Sequence, residues 1–366
     1  MNIKAEGYTE EQLIAALFSS ARQVRYEYTV LSSGGEYLGN IEIEEAKISF
    51  NSTSEVMRTF SGTVIENDIF NRNSIDYQVI PWMCLMMFNN KEAKFPLGRF
   101  IVTTSLNYNN NLTKLNVTGY DLGKIALDDK TSSRFFASST NTYEYALREL
   151  LEGIYPNIDI AEIALNKSFP QEWEIGTSKI TIANDLLKGV NYNPLYFDEY
   201  GQGFCIPYVL PEEKGIDFQY VANKTSVIID DITTESNIFN IPNKWIRYTE
   251  NVDAPYLICV LVNDDPESPY SVQNRNRYIV DAEVVNDIAN QAELNAYTRR
   301  IASKSMQKIE TITFSTLNMP GHGYRELLWL DIPAYKIADR YIETSWEMDL
   351  RPGGLMTHVC EKVVVI

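Results

Sequence analysis

The chain has 366 residues, enough for two or three domains with cores of their own. Its 49 acidic side chains against 32 basic ones leave a net charge of −17, which argues against stable nucleic-acid binding, because phosphate recognition is mainly cationic. The same charge suits a surface that nucleic acid must pass without sticking, and it equally suits any acidic globular protein. Hydrophobic content of 45% is that of a globular chain, and 12% aromatics with 23 Tyr tilt the expectation towards strands.

Cys84, Cys205, Cys259 and Cys360 are scattered without CxxC spacing, so neither a disulfide framework nor a zinc site is expected. Glu10 and Glu11 precede the short N-terminal apolar run, which argues against a signal peptide. The longest apolar run, residues 81–88, is too short to span a bilayer. Synthesis in the cytoplasm without membrane insertion is the expectation.

Along the chain, Thr9 and Gln12 form a capping pair before the stripe Leu13, Ile14, Leu17. They predict one helix over 9–22, either an arm docking elsewhere or an appendage packed on its own domain. From Arg25 the apolar period switches to two, with Tyr26, Tyr28 and Val30 on one face, and Ser32-Ser33-Gly34-Gly35 turns the chain. The next strand starts in one phase (Ile41, Ile43) and resumes in the other (Ala46, Ile48, Phe50), so a β-bulge or sharp bend is expected at Glu44-Glu45. Strands over 56–65, 75–88, 97–108 and 112–120 complete six within about a hundred residues, the spacing of a small antiparallel barrel or sandwich. Residues 81–88 are apolar on both faces, so burial on both sides is expected, within the domain or against another subunit.

Between 128 and 215 the character changes. Asn141 with Glu144 predicts a capped helix carrying Tyr143, Ala146, Leu147, Leu150, Leu151 and Ile154. A second helix runs from cap Ser178 through Leu186, Leu187 and Val190, and a hairpin follows around Tyr200-Gly201-Gln202-Gly203. From residue 216 strands return at 245–249, 256–262, 277–281, 310–316 and 325–332, interrupted by a helix from cap Asn290 to about Gln307. The chain closes on a hairpin. Ile342, Thr344, Trp346, Met348 and Leu350 alternate with Tyr341, Glu343, Ser345, Glu347 and Asp349, giving one buried and one wet face; Arg351-Pro352-Gly353-Gly354 then turns into a last β-rich run.

Residues with chemistry are sparse. His322 lies in a turn and His358 in the last strand, with no second histidine nearby in sequence and no HExxH, so both read as structural or surface histidines. The run Asn263-Asp264-Asp265-Pro266-Glu267-Ser268-Pro269 gathers three carboxylates, but its spacing is not that of an EF-hand, so it reads as a solvated acidic loop. Trp82, Trp173, Trp245, Trp329 and Trp346 are read as packing residues in preference to a sugar-stacking surface. No GxGxxG, P-loop or GxSxG motif occurs. No catalytic, cofactor-binding or metal-binding residue is assigned, no cofactor is expected, and the residues describe a non-catalytic, β-rich assembly protein.

Several stretches, in this order, resemble the tail hub (baseplate hub) proteins of Gram-positive phages and phage-derived particles. That group includes the structural N-terminal module of tail-associated lysins. The stretches are Arg25-Tyr26-Glu27-Tyr28, Phe95-Pro96-Leu97-Gly98-Arg99-Phe100, Glu172-Trp173-Glu174-Ile175-Gly176-Thr177-Ser178, Asn184-Asp185-Leu186-Leu187 with Asn191-Tyr192, Ile241-Pro242-Asn243, the acidic loop 263–269, and residues 341–350. The likeness covers the chain from about residue 25 onward. It implies a mainly β fold with an α+β insert: a first tube-like β-barrel (25–128), an α+β domain (129–215) and a second β-barrel with an inserted helix (216–366), preceded by an N-terminal helical arm (1–24) that the likeness does not cover. It also implies a structural hub at the virion tail tip or on a tail-like particle, a homotrimer whose six barrels fit a threefold ring to a sixfold tube. The implied partners are a distal tail or tube protein, the tape-measure protein, and a tail fibre or receptor-binding protein, with DNA only in transit through the channel. Many members of the group carry a cell-wall-degrading domain after the second barrel, whereas this sequence stops at Ile366, so lytic activity is expected of another chain. A tail-associated cell-wall hydrolase or glycan-binding tail protein is the alternative function. On the hub reading, Trp346 and Met348 point into the second barrel, and Glu343, Glu347 and Asp349 are candidates for a ring surface or channel lining.

Overall fold

The computed structural model describes residues 3–109, 112–155, 158–167, 169–224, 226–252 and 254–364. Helix α1 (Glu10–Leu17) opens it with the expected capping box, Thr9 Oγ1 accepting from the Gln12 amide and the Gln12 side chain accepting from the Thr9 amide. The helix stops short of residue 22, and Leu13, Ala16 and Leu17 are buried in a core that both β regions share.

Next come β1 (Val24–Leu31), β2 (Tyr37–Ile41), β3 (Glu44–Asn51), β4 (Arg58–Ile65), β5 (Gln78–Met86), β6 (Glu92–Pro96), β7 (Phe100–Asn109) and β8 (Leu112–Tyr120). The phase slip is a bulge: the β3–β4 register shifts between Glu44 and Lys47, and Glu45 adopts a left-handed φ of 52°. β2 ends at Ile41 and β3 begins at Glu44, where periodicity alone joins them into one strand. β5 pairs with β1 on one side and with β6 and β7 on the other. Met83 and Leu85 enter the core, while Cys84 lies on the other face, opposite the ion-paired Arg25 and Lys94. The doubly apolar run is therefore covered mainly by its own chain, except that Phe88, its last residue, is 72% exposed.

The insert comprises α2 (Gly123–Asp128), β9 (Phe135–Ala137), α3 (Tyr143–Leu151), β10 (Ile158–Ile160), β11 (Gln171–Trp173), α4 (Lys179–Gly189), β12 (Tyr196–Phe197) and β13 (Gly203–Cys205). Its core is separate from that of the β regions: Ala146, Leu147 and Leu150 of α3 share it with Ala183, Leu186 and Leu187 of α4. Ser178 caps α4 as expected. The cap of α3 is Thr142 and not Asn141; the Thr142 hydroxyl accepts from the Tyr145 amide, and Glu144 accepts instead from the Ile163 amide while pairing with Arg148. The hairpin shrinks to β12 and β13, where Asp198 accepts from the Tyr200 and Gln202 amides.

The remaining elements are β14 (Phe218–Val221), β15 (Ile228–Ser236), β16 (Lys244–Tyr248), β17 (Ile258–Val262), α5 (Val272–Arg275), β18 (Val280–Val284), α6 (Gln291–Gln307), β19 (Glu310–Leu317), β20 (Leu327–Ile332), β21 (Ile337–Asp349) and β22 (Leu355–Lys362). Asn290 caps α6 as expected. One reading needs correction. β16, β17 and β18, expected as strands of the second barrel, form a three-stranded sheet of their own, with Trp245 packed among Ala302 and Met306 of α6. β15 pairs directly with β19, so the large sheet continues without them. Periodicity identified these strands but carried no information about their partners.

The large sheet runs in the order β15-β19-β22-β21-β3-β4-β8-β7-β5-β1-β2, with β20 and then β14 branching from β21, and β6 from β5. The expected mainly β fold with an α+β insert is the one found, and both β regions lie in one continuous sheet joined where β21 meets β3. No described helix is long and apolar enough to cross a membrane. Because Glu45 carries a side chain in a left-handed conformation, Glu45→Gly is expected to leave the fold intact and raise stability by up to about 1 kcal/mol in urea denaturation.

Candidate functional site

The site is the joint between the two β regions. Ser345, Trp346, Glu347, Met348 and Asp349 of β21 stand opposite Asn51, Phe50, Ser49, Ile48 and Lys47 of β3. On the wet face Lys47 pairs with both Glu347 and Asp349 at 3.1 Å, and the Ser49 hydroxyl donates to Glu347. On the buried face Trp346 stacks on Phe50, with ring centroids 5.6 Å apart and planes 13° from parallel.

Arg58, from β4, closes this face. It is 1% exposed, and its guanidinium carbon lies 5.9 Å from the Phe50 ring and 5.5 Å from the Trp346 ring. It donates to the Leu97 carbonyl in the first β region and to the His322 carbonyl in the second. Burial pulls its pKa down and neighbouring carboxylates push it back up, Glu199 and Asp121 foremost. Asp121 accepts from the Arg58 and Gly123 amides; burial raises its pKa to about 6 against those bonds.

Beside the stack is a sealed polar cluster. Glu343 accepts from Nδ1 of His322 through one carboxylate oxygen and from Nδ1 of His358 through the other, each at 2.6 Å, and all three side chains have zero exposure. His322 Nε2 meets the Tyr220 hydroxyl at 2.7 Å, and His358 Nε2 meets the Thr316 hydroxyl at 2.9 Å. Burial opposes the charge of Glu343 more than any other single influence, yet the two histidines together hold its pKa down at about 2. Burial also lowers the pKa of His358, partly offset by Glu343. An ionised carboxylate can only accept, so each Nδ1 carries a proton towards Glu343, in keeping with the lowered pKa of Glu343.

The cluster gathers three potential metal ligands within 4.8 Å, as do Glu27, Cys84 and Glu92. In the first, the N–O separations are hydrogen-bond lengths and every ring nitrogen has a partner. In the second, both carboxylates are ion-paired with Arg25 or Lys94. Among the described residues, Asp264, Asp265 and Glu267 of the acidic loop belong to no such group. The arrangement at Glu343 is suited to holding strands together.

This location corrects the reading of Glu343 as a wet-face residue. The β21–β22 register shifts between Glu343 and Ser345, leaving Thr344 as the extra residue of a bulge. Downstream the expected alternation holds, with Trp346, Met348 and Leu350 buried; upstream both faces are covered, so Tyr341 and Glu343 are buried along with Ile342. Of the three proposed lining carboxylates, Glu347 and Asp349 are tied to Lys47 and Glu343 is internal. The histidines, distant in sequence from each other, lie with ring centroids 5.1 Å apart. Arg58, Tyr220 and Thr316 escaped the sequence reading altogether, and only an apolar strand with a polar residue on its inward face hinted at them.

No family model matches the chain, and no curated protein sequence does. Solved structures match it over nearly its whole length. The tail protein from Neisseria meningitidis MC58 superimposes with a TM-score of 0.65 at 12% identity, covering 92% of this chain and 97% of that one. The fold is that of phage tail proteins. The 43 kDa tail protein of prophage MuSo2 from Shewanella oneidensis gives 0.64 at 9% identity over 92% of this chain and 98% of that one. Prophage tail protein gp18 from Listeria monocytogenes EGD-e gives 0.56 at 12% identity, over 91% and 94%.

Removing the indole at the joint leaves a cavity beside a buried cation, so Trp346→Ala is expected to cost about 3–5 kcal/mol in chemical denaturation. Charge reversal at the half-exposed Glu347 is expected to change stability by no more than about 1 kcal/mol. Because the carboxyl of Glu343 is depressed from 4.5 to about 2, its stabilisation is complete above about pH 4.5 and is lost as pH falls towards 2. The amount is on the order of 3 kcal/mol. Glu343→Gln is expected to be less stable than the parent at pH 7 and to lose less on acidification, as read from denaturant midpoints between pH 7 and pH 3.

Proposed function

We propose that this chain is a structural hub of a phage tail or tail-like particle, forming a trimeric ring that fits a sixfold tube to a threefold tip around a central channel. The observation that carries the reading is the joint. Two β regions are fused into one sheet through β21 and β3, in a fold shared over 92% of the chain with a tail protein. Each chain then offers two sheet-built units at fixed spacing, and three chains offer six. The units proposed are 25–128, 129–215 and 216–366 behind the N-terminal segment 1–24, with β16–β18 and α6 as a subassembly inserted between β15 and β19.

The partners proposed are a distal tail or tube protein, the tape-measure protein, and a fibre or receptor-binding protein. A channel wall drawn from a chain of net charge −17 would repel DNA in transit. Catalysis is not part of the proposal, since the His322–Glu343–His358 cluster has no exposure to a substrate. The three matched tail proteins come from Neisseria, Shewanella and Listeria, so the fold leaves the host group open, and the Gram-positive assignment rests on the sequence resemblance.

The test is subunit number. Native mass spectrometry and negative-stain images of the purified chain, or of particles containing it, are expected to give trimers and threefold rings. A strict monomer at high concentration with no ring on particles, or a sixfold ring, overturns the hub.

A further inference from the structure

Between α1, the 351–354 turn and the segment entering β15 lies a groove of about 600 Å³. Arg22, Lys224 and Arg351 line it and, among the described residues, no carboxylate does, in a chain whose net charge is −17. Arg22 is held by the Asn318 carbonyl, and Arg351 reaches only Asp349, at 3.7 Å. Phe18 and the exposed Phe88 add apolar surface. The turn itself is fixed: Gly353 has φ 72°, and a Cβ on Gly354 would clash with the Asp349 carbonyl.

The groove also contains an unanswered acceptor. Asn318 is 2% exposed and donates its amide to the Tyr26 hydroxyl and to the Asp349 carbonyl, but its Oδ1 has no partner. A buried acceptor without a donor costs about 1–3 kcal/mol. A peptide segment with carboxylates complements the three cations of the groove.

The chain carries such a segment. Asp264, Asp265 and Glu267 are exposed, and among the described residues none has an ion-pair partner. Their loop is already shaped: Asp265 accepts from the Glu267 amide, Asn274 donates to the Pro266 and Ser268 carbonyls, and Asn263 donates to the Ser268 hydroxyl. A preformed loop loses little conformational freedom on docking. Loop and groove are different patches of one surface, so a contact between them on two copies is head-to-tail, the class of contact that closes into rings.

We propose that the 264–267 loop of one copy docks in the Arg22–Lys224–Arg351 groove of the next, which deepens and rests on the trimeric-ring reading. Lys224 and Arg351 would face the loop carboxylates. Phe88 would then be covered at the same contact.

The experiment compares four forms of the full chain by sedimentation and native mass spectrometry. These are the parent, a loop variant (Asp264→Lys, Asp265→Lys, Glu267→Lys), a groove variant (Lys224→Glu, Arg351→Glu) and the combined swap. Every substituted residue is exposed, and denaturant midpoints check that each variant is folded. The loop and groove variants are each expected to weaken trimer association at least ~100-fold, and the combined swap, whose charges are complementary again, to regain most of it. Parent and variants that all assemble equally overturn the contact and leave the ring standing. A combined swap that assembles no better than either half also overturns it. A parent that stays monomeric overturns the ring reading and this contact with it.

Discussion

Trp346 lies flat on Phe50 under the guanidinium of Arg58, and the arrangement of the large sheet depends on that contact. β21 is the longest strand and pairs with β3, β20 and β22, so both β regions are laid out from it. A buried arginine is costly unless its charge and donors are answered. Here two aromatic faces answer the charge, and carbonyls from opposite sides of the joint answer two donors. The cation therefore belongs to neither β region alone. It is stable only while both are in place, which couples their folding.

Glu343 does comparable work by different means. Its carboxylate receives one imidazole from the loop before β20 and another from β22, and each imidazole is held in turn by a hydroxyl from β14 or β19. A fully satisfied polar network in a low-dielectric interior fixes one geometry, because any rearrangement strands a buried donor or acceptor. The apolar stack supplies burial and the network supplies registration. Keeping two β regions at constant spacing needs both.

The insert and the β16–β18 subassembly carry cores separate from that of the large sheet. They leave the joint undisturbed and project surface, including the acidic loop between β17 and α5. The rigid sheet and the appended modules thus occupy separate parts of the fold, each with a core of its own.

Much of this was legible in the sequence. The capping pairs at Thr9, Ser178 and Asn290, the bulge at Glu44-Glu45, and the half-buried strand ending in Trp346, Met348 and Leu350 all follow from side-chain periodicity and local hydrogen bonding, which the sequence determines over a few residues. The strands at 245–249 and 256–262 were equally legible, but their membership of a separate sheet was not, because strand pairing is a non-local choice. Glu343 shows the same limit more sharply. One bulge residue, Thr344, moved its side chain from the wet face to the interior, and His322 and His358 became its partners only when β21 met β22. What the sequence by itself determined was the local alternation and the mainly β class. Only the tertiary structure decided which residues meet at the joint, because that depends on register between strands far apart in the chain.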